Sequence, residues 1–99
     1  MNVTDIRIRR TYEEGKLKAL VSVTIDQDLA VHDIKVIEGS ERLFVAMPSR
    51  KDDNGVFRDI VHPITMEGRR TFEGLILEEY HKYLSQQEAY SENGDKKHW

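Results

Sequence analysis

The sequence predicts an α+β domain in which an antiparallel β-sheet of about five strands is followed by one C-terminal amphipathic helix. Apolar and polar residues alternate over residues 3–64, which is the period of half-buried strands, and turn signals recur between the alternating runs. From about residue 65 to residue 84 the apolar period becomes helical. A chain of 99 residues has room for one such domain, which we place at residues 1–84, with a disordered tail at residues 85–99.

The first two strands register against each other through the turn at residues 13–16. This connection pairs Ile8 with Val21 and Ile6 with Val23, so that both apolar rows lie on one face. A slip by one residue would expose both rows, and the register is therefore well specified. The same register gathers a basic row on the outer face: Arg7, Arg9 and Lys18.

The next two strands are predicted to be buried more fully. Residues 30–37 form a strand in which His32 shares a face with Ile34 and Val36. Residues 43–47 are an unbroken apolar run, which is typical of a strand buried on both sides. Both patterns indicate strands that meet protein on each face, inside the sheet or at an interface between subunits.

Asn54 and Gly55 are the strongest turn signal in the sequence. They fit the two central positions of a type I′ turn because both tolerate the positive φ angles that this turn requires. The flanking segments, about residues 49–53 and 56–62, are therefore predicted to form a hairpin.

Two groups of basic residues are unfavourable for folding alone but favourable beside an anion. Counting outward from the turn puts Lys51 opposite Arg58, where like charges cost a few tenths of a kcal/mol. Arg69 and Arg70 lie near the positive end of the predicted helix, at a cost of about 0.3–1 kcal/mol. A phosphate would reverse both effects. Lys51, Arg58, Arg69 and Arg70 are therefore candidate phosphate-binding residues, and the row of Arg7, Arg9 and Lys18 could extend the same surface.

The last element is predicted to be an amphipathic helix with Thr65 or Thr71 as its N-cap. Its apolar stripe holds Phe72, Leu75, Ile76, Tyr80, Tyr83 and Leu84. The two tyrosines could stack on the bases of a single strand, but their helical spacing with aliphatic neighbours favours packing. One helix cannot cover a five-stranded sheet, and the leftover apolar face predicts a homodimer.

The composition excludes several classes of protein. The 15 basic and 18 acidic residues give a net charge of −3, which argues against coating nucleic acid by bulk charge but leaves room for a local basic patch. There is no cysteine, hence no disulfide and no thiolate zinc site. The sequence has no run of 18 apolar residues and a highly charged start, so we expect a cytoplasmic protein without a membrane span or signal peptide.

No motif predicts catalysis, a metal site or a cofactor. His32 and Asp33 are neighbours on a predicted strand, so their side chains point to opposite faces and cannot form a dyad. The sequence has no His-x-x-x-His pair and no glycine-rich phosphate loop. A site assembled by folding from His32 and His62 stays open as an alternative, but we expect a binding protein rather than an enzyme.

Four ordered segments of the sequence closely resemble the SpoVG family, stage V sporulation protein G. They are VHDIKVI at 31–37, LFVAMPSRK at 43–51, FRDIVHPI at 57–64 and EYHK at 79–82. The opening VTDIRIRR fits the same family, and the resemblance extends over residues 1–84 in the family's order. Four segments in order are far more specific than one short motif.

The resemblance implies a small bacterial cytoplasmic protein that forms a homodimer, with a β-rich body and a C-terminal helix. Members of the family are site-specific DNA-binding regulators, some of which also bind RNA, and they are linked to septation and, in spore formers, to sporulation. They are not known as enzymes. The family's Pro-Ser-basic-basic step falls on residues 48–51 and its Phe-Arg-Asp step on residues 57–59. With this resemblance, the first candidates for binding nucleic acid are Arg50, Lys51, Arg69 and Arg70, and the second are Arg58, Arg7 and Arg9. The competing hypothesis is a protein-interaction module of the cell-division machinery.

Overall fold

Six strands precede one helix in the computed structural model, which describes residues 1–92 and their side chains through residue 87. The elements are β1 (Val3–Thr11), β2 (Leu17–Ile25), β3 (Leu29–Glu38), β4 (Leu43–Ala46), β5 (Ser49–Lys51), β6 (Phe57–Asp59) and α1 (Met66–Glu92). The strands form a four-stranded antiparallel sheet in the order β1-β2-β3-β4 and a separate hairpin of β5 and β6. The predicted α+β class is confirmed, although the strands divide into two sheets.

The core lies between one face of the four-stranded sheet and α1. On the central strand β2, Ala19, Val21 and Val23 are completely buried. The other buried apolar residues are Val31, Ile34 and Val36 of β3, Val45 and Met47 at β4, and Phe72, Ile76 and Tyr80 of α1. Strand alternation and helical periodicity therefore meet at a single interface, as the two sequence periods predict.

The predicted register of the first two strands is confirmed, because Ile6 pairs with Val23 and Ile8 pairs with Val21. The register then shifts by one residue between Ile8 and Arg10, which leaves Arg9 as an extra residue in β1. Strict alternation could not predict this bulge.

A second bulge changes the face on which His32 lies. Val21 pairs with Ile34 but Val23 pairs with Val31, so β3 carries one residue more than β2 at this point. His32 is exposed and turns away from the buried side chain of Ile34. The prediction that these two residues share a face is wrong, because the inserted residue reverses the alternation.

The turn between β2 and β3 is the type I′ turn of this fold. Asp26 and Gln27 have φ angles of 53° and 65°, and the N–H of Asp28 donates to the carbonyl oxygen of Ile25 at 3.1 Å. Neither central residue is glycine, and sequence patterns therefore missed it.

The hairpin of β5 and β6 has a different turn from the predicted one. Gly55 has a φ of +82°, whereas Asn54 is not in the left-handed region. The carboxylate of Asp52 accepts hydrogen bonds from the backbone N–H groups of Asn54 and Val56, at 2.9 and 3.0 Å. The loop therefore has three residues, 53–55, with glycine at the position that requires a positive φ, and the hairpin register shifts by one residue.

Thr65 is the N-cap of α1. Its Oγ1 accepts a hydrogen bond from the N–H of Gly68 at 2.9 Å, and its carbonyl oxygen accepts one from Arg69 at 3.0 Å. The helix extends to Glu92, beyond the predicted end at Leu84, because the polar residues that follow include good helix formers such as Gln, Glu and Ala. The remainder of the predicted disordered tail, residues 93–99, lies outside the described residues.

Glu73 of α1 covers the free edge of β4. Its Oε2 accepts a hydrogen bond at 3.0 Å from the N–H of Val45, which points away from β3. Its Oε1 lies 3.6 Å from the Arg42 guanidinium. An edge strand with unpaired N–H groups is a template for pairing with other chains, and this carboxylate closes the edge at its centre.

Glu73→Ala is expected to lower the free energy of unfolding by about 1–3 kcal/mol, because a partly buried N–H loses its charged acceptor. Urea unfolding followed by circular dichroism measures the effect. Glu78→Ala, on the exposed side of the same helix, is the matched control and should change stability by less than about 0.5 kcal/mol. Equal losses in the two variants would contradict the role given to Glu73.

Candidate nucleic-acid interface

The hairpin of β5 and β6 brings three of the predicted basic residues together. Arg50 lies directly opposite Arg58, and Lys51 lies opposite Phe57. The predicted pairing of Lys51 with Arg58 is therefore wrong, because the three-residue loop displaces one strand by one residue. Two like charges still face each other across the hairpin, but they are the two arginines.

Asp52 organises the hairpin and neutralises one of these arginines. Besides the two N–H groups of its own loop, it accepts a hydrogen bond from Nε of Arg58 at 2.7 Å. The Arg58 guanidinium, and after it the N–H of Val56, lower the pKa of Asp52 below its usual value of 3.8. Arg58 is thereby held in place by a carboxylate and has less charge to offer an external anion.

Arg50 and Lys51 keep their charge available. Neither forms an ion pair with a carboxylate among the described residues, and both are exposed. Nζ of Lys51 lies 5.3 Å from the centre of the Phe57 ring, a cation–π contact that leaves the ammonium group in solvent. Both residues line an open cleft of about 370 Å³ on the hairpin, which Asp53 and Asp59 also line.

Arg69 and Arg70 belong to a different element, the first turn of α1. Both side chains are exposed, and Nη2 of Arg70 lies 3.7 Å from Sδ of Met66. Within the described residues, no hydrogen bond or ion pair joins them to the hairpin. Arg69 and Arg70 therefore lie at the start of the helix, as the sequence predicts, whereas Arg50, Lys51 and Arg58 lie together on the two paired strands of the hairpin.

The predicted basic row on the outer face of the sheet does not form. Nε of Arg7 pairs with the Asp5 carboxylate at 2.9 Å, and Lys18 pairs with Glu38 at 3.5 Å. Arg9 is the bulged residue of β1 and separates from both of them. Acidic neighbours and the bulge, neither of which alternation accounts for, break up the row.

The structure places Ser22 and His32 in contact, a pair that the sequence did not suggest. Ser22 Oγ and His32 Nδ1 are 2.8 Å apart on the face of the sheet opposite to α1. The two residues are ten positions apart and belong to adjacent strands, so only the register could reveal them. His62 lies elsewhere, exposed and bonded to the carbonyl oxygen of Pro63, and the alternative site built from both histidines does not form.

Tyr80 and Tyr83 of α1 serve packing, as their spacing predicts. Tyr80 is only 6% exposed. Burial raises the pKa of its phenol, and the Glu38 carboxylate adds to the shift. Tyr83 is half-buried, and its hydroxyl accepts a hydrogen bond from Gln87. Tyr80 is therefore too deeply buried to stack on the bases of a nucleic acid.

Exposed apolar side chains are concentrated on the hairpin and on the segment that leads to α1. They are Val56, Phe57, Ile60, Val61, Ile64 and Met66. Ile64 is 89% exposed and Ile60 is 67% exposed. The two hairpin strands pair with each other and pack extensively on no other element of residues 1–92. An apolar cluster of this kind is typical of an interaction surface. We call the hairpin and the segment that leads from it to α1, residues 49–66, the arm.

Comparison with known proteins places this geometry in a family context. A family model described as SpoVG matches residues 1–82. "Putative septation protein SpoVG" of Thermoanaerobacter sp. (strain X514) is 53% identical over 93% of this chain and all of the relative, as is its counterpart in Clostridioides difficile (strain 630). The counterpart in Agathobacter rectalis is 58% identical over 81% of this chain and 92% of the relative. No helix in residues 1–92 is both long and apolar enough to cross a bilayer.

The hairpin is expected to loosen on acidification as Asp52 takes up a proton. Its pKa is lower in the folded state than in the unfolded state, so its contribution to stability is complete above about pH 3.8 and is lost as the pH falls through the lowered value. The backbone N–H resonances of Asn54 and Val56, followed by NMR, should shift with a midpoint below 3.8. Asp52→Asn should remove this transition, and a midpoint at or above 3.8 would contradict the pairing with Arg58.

Proposed function

The chain belongs to the SpoVG family, and from that premise we propose that it is a cytoplasmic regulator of septation that binds DNA, and also RNA, as a homodimer. It acts by binding rather than by catalysis and uses no cofactor. In a spore-forming organism the same regulator serves sporulation.

The observation that carries the proposal is that Arg50 and Lys51 of the β5–β6 hairpin are exposed and form no ion pair within the described residues. The protein has a net charge of −3, so attraction to a polyanion depends on where the charge is sorted and not on its sum. The hairpin sorts it by pairing Arg58 with Asp52 and leaving the two neighbouring cations exposed. Phosphate groups are the ligand that such exposed cations attract most strongly.

Arg69 and Arg70 support the same function from the start of α1. Backbone N–H groups and two guanidinium groups at a helix N-terminus favour an anion. Contacts of this kind position a protein on the phosphate backbone and do not select a sequence. Arg7, which is paired with Asp5, contributes less.

The homodimer accounts for the apolar side chains on the arm. Ile60 and Ile64 are largely exposed in the single chain. Each Å² of their apolar surface that a partner buries stabilises the dimer by about 25 cal/mol. A symmetric dimer would also present two hairpins, and so double the basic surface that one chain offers. A second copy of the chain is therefore the partner that serves both features of the arm.

A protein partner from the division machinery is the second candidate function. It is favoured by the mixed character of the hairpin, on which Asp53 and Asp59 line the same cleft as the cations. Phe57, which is 66% exposed, would suit a protein surface as well as a nucleic acid. The experiment below separates the two candidates.

Lys51→Glu is expected to abolish the gel shift of a target DNA, because it places a negative charge where a phosphate binds. Lys16→Glu, an equal change of charge in the exposed β1–β2 turn, is the matched control and should bind like the unchanged protein. Circular dichroism and dimer mass should be unaffected in both. Retained binding by Lys51→Glu would refute the assignment of phosphate binding to Lys51, and a DNA-binding constant insensitive to salt between about 50 and 200 mM would refute the electrostatic mechanism. Failure of the unchanged protein to retain a defined DNA sequence against competitor DNA would favour the protein-partner function.

Ile64→Asp is expected to weaken the dimer at least about ten-fold, since a charge would be buried in an apolar interface. Sedimentation equilibrium measures the dissociation constant, and circular dichroism checks the fold. Leu29→Asp is the control, because Leu29 is also apolar and 58% exposed but lies away from the arm at the start of β3. A dimer weakened by Leu29→Asp and not by Ile64→Asp would place the interface elsewhere.

A further inference from the structure

A pocket of about 300 Å³ lies on the face of the four-stranded sheet opposite to α1. It is lined by Arg9, Leu20, Val21, Ser22, His32 and Asp33. None of the phosphate contacts proposed above uses it, except that Arg9 belongs to the candidate basic residues. Its volume exceeds that of a nucleobase, and its residues come from three adjacent strands.

Two bulges build this pocket. The extra residue in β1 is Arg9, and the extra residue in β3 falls at His32 and Asp33, so the two irregularities lie on the strands that flank Leu20, Val21 and Ser22 of β2. Asp33 has a φ of +64°, a conformation that an aspartate adopts at some energetic cost. Bulges re-aim side chains and are frequent beside binding sites. Here they bring Arg9, His32 and Asp33 to the same pocket, beside Ser22.

The hydrogen bond between Ser22 and His32 fixes the imidazole ring. Ser22 is 9% exposed and is the buried polar residue of the described part of the chain. Its Oγ lies 2.8 Å from His32 Nδ1, and the other ring nitrogen, Nε2, makes no hydrogen bond within the described residues. The ring is therefore held through Nδ1, while the His32 side chain as a whole stays exposed.

The charges around the pocket restrict its ligand. A free phosphate would be attracted by Arg9 but repelled by Asp33, and a simple amine would meet the opposite conflict. A nucleotide satisfies both residues because it carries a phosphate at one end and N–H donors on its base at the other. Leu20 and the His32 ring supply the apolar and aromatic surfaces on which an unstacked base packs.

We propose that this pocket binds one unstacked guanine nucleotide of a nucleic-acid strand. The Watson–Crick edge of guanine carries two adjacent N–H donors, which the two oxygens of the Asp33 carboxylate accept together. Arg9 binds the phosphate of the same nucleotide, and Ser22 holds His32 against the base. The inference rests on the proposed function and adds to it the base contact that phosphate binding alone lacks.

A catalytic interpretation of the Ser22–His32 pair is less well supported. Among the described residues, no carboxylate hydrogen-bonds to the His32 ring, so the third member that orients the base of a hydrolytic triad is missing. Ser22 is also almost completely buried, which keeps its oxygen from attacking a substrate. Binding accounts for the same geometry without these requirements.

The first test is an NMR titration of the full-length protein with guanosine 5′-monophosphate and adenosine 5′-monophosphate. The N–H resonances of Ser22, His32 and Asp33 should shift saturably with the guanine nucleotide, and at least about ten-fold more weakly with the adenine nucleotide. Asp33→Asn should abolish this preference, because the amide offers only one acceptor while asparagine tolerates the same positive φ. No shift, or equal responses to the two nucleotides, would overturn the proposal.

The second test uses fluorescence anisotropy with single-stranded oligothymidylates that carry one central guanine or one central adenine. The guanine strand should bind about ten-fold more tightly, and Asp33→Asn should equalise the two affinities. Lys51→Ala, a milder change than the charge reversal above, should weaken the binding of both strands by the same factor and preserve the ratio of their affinities. If Lys51→Ala kept full affinity and the guanine preference, the hairpin function would be refuted and the pocket sustained. A preference seen only with the free nucleotide would refute the assignment to nucleic acid.

Discussion

The burial of one face of β2 is the constraint on which the rest of the structure depends. Ala19, Val21 and Val23 have no exposed surface, since β1 and β3 flank them and α1 covers them. Because strand residues alternate, this burial forces Leu20 and Ser22 onto the opposite face of the sheet. The burial of these three side chains thus forms the core, and it also determines which residues of β2 lie on the face that carries the nucleotide pocket.

The β5–β6 hairpin is stabilised in a different way, by local hydrogen bonds and not by a buried core. Asp52 closes the loop and holds Arg58, so a single carboxylate sets both the shape of the hairpin and its charge distribution. This arrangement explains how a protein with a net charge of −3 can offer cations to a polyanion. The acidic residues are placed beside particular basic ones, and Arg50 and Lys51 remain exposed.

The elements that follow from side-chain period could be predicted, and those that depend on one inserted residue could not. The alternation of apolar residues predicted the pairing of Ile8 with Val21, and Thr65 was one of the two predicted N-cap residues of the helix. The bulge at Arg9 and the reversed orientation of His32 could not be predicted from the apolar pattern. Each comes from one extra residue in a strand, and nothing in the identity of that residue marks it as inserted. The predicted register of the hairpin was wrong for a related reason. The loop length is determined by the side chain of Asp52, which accepts hydrogen bonds from Asn54 and Val56, and not by the Asn-Gly pair alone.

These failures of prediction coincide with the candidate sites, and the reason is physical. A regular strand places its polar side chains in parallel rows, which suits a uniform partner such as a phosphate backbone but cannot enclose one ligand. To make Arg9, His32 and Asp33 converge beside Ser22, the sheet must depart from regularity twice, and Asp33 must adopt a positive φ. Such departures cost free energy, and the fold tolerates them because they lie on the face that the buried side chains of β2 leave open. A device that recognises a single base is therefore expected where the sheet is irregular and its core is not.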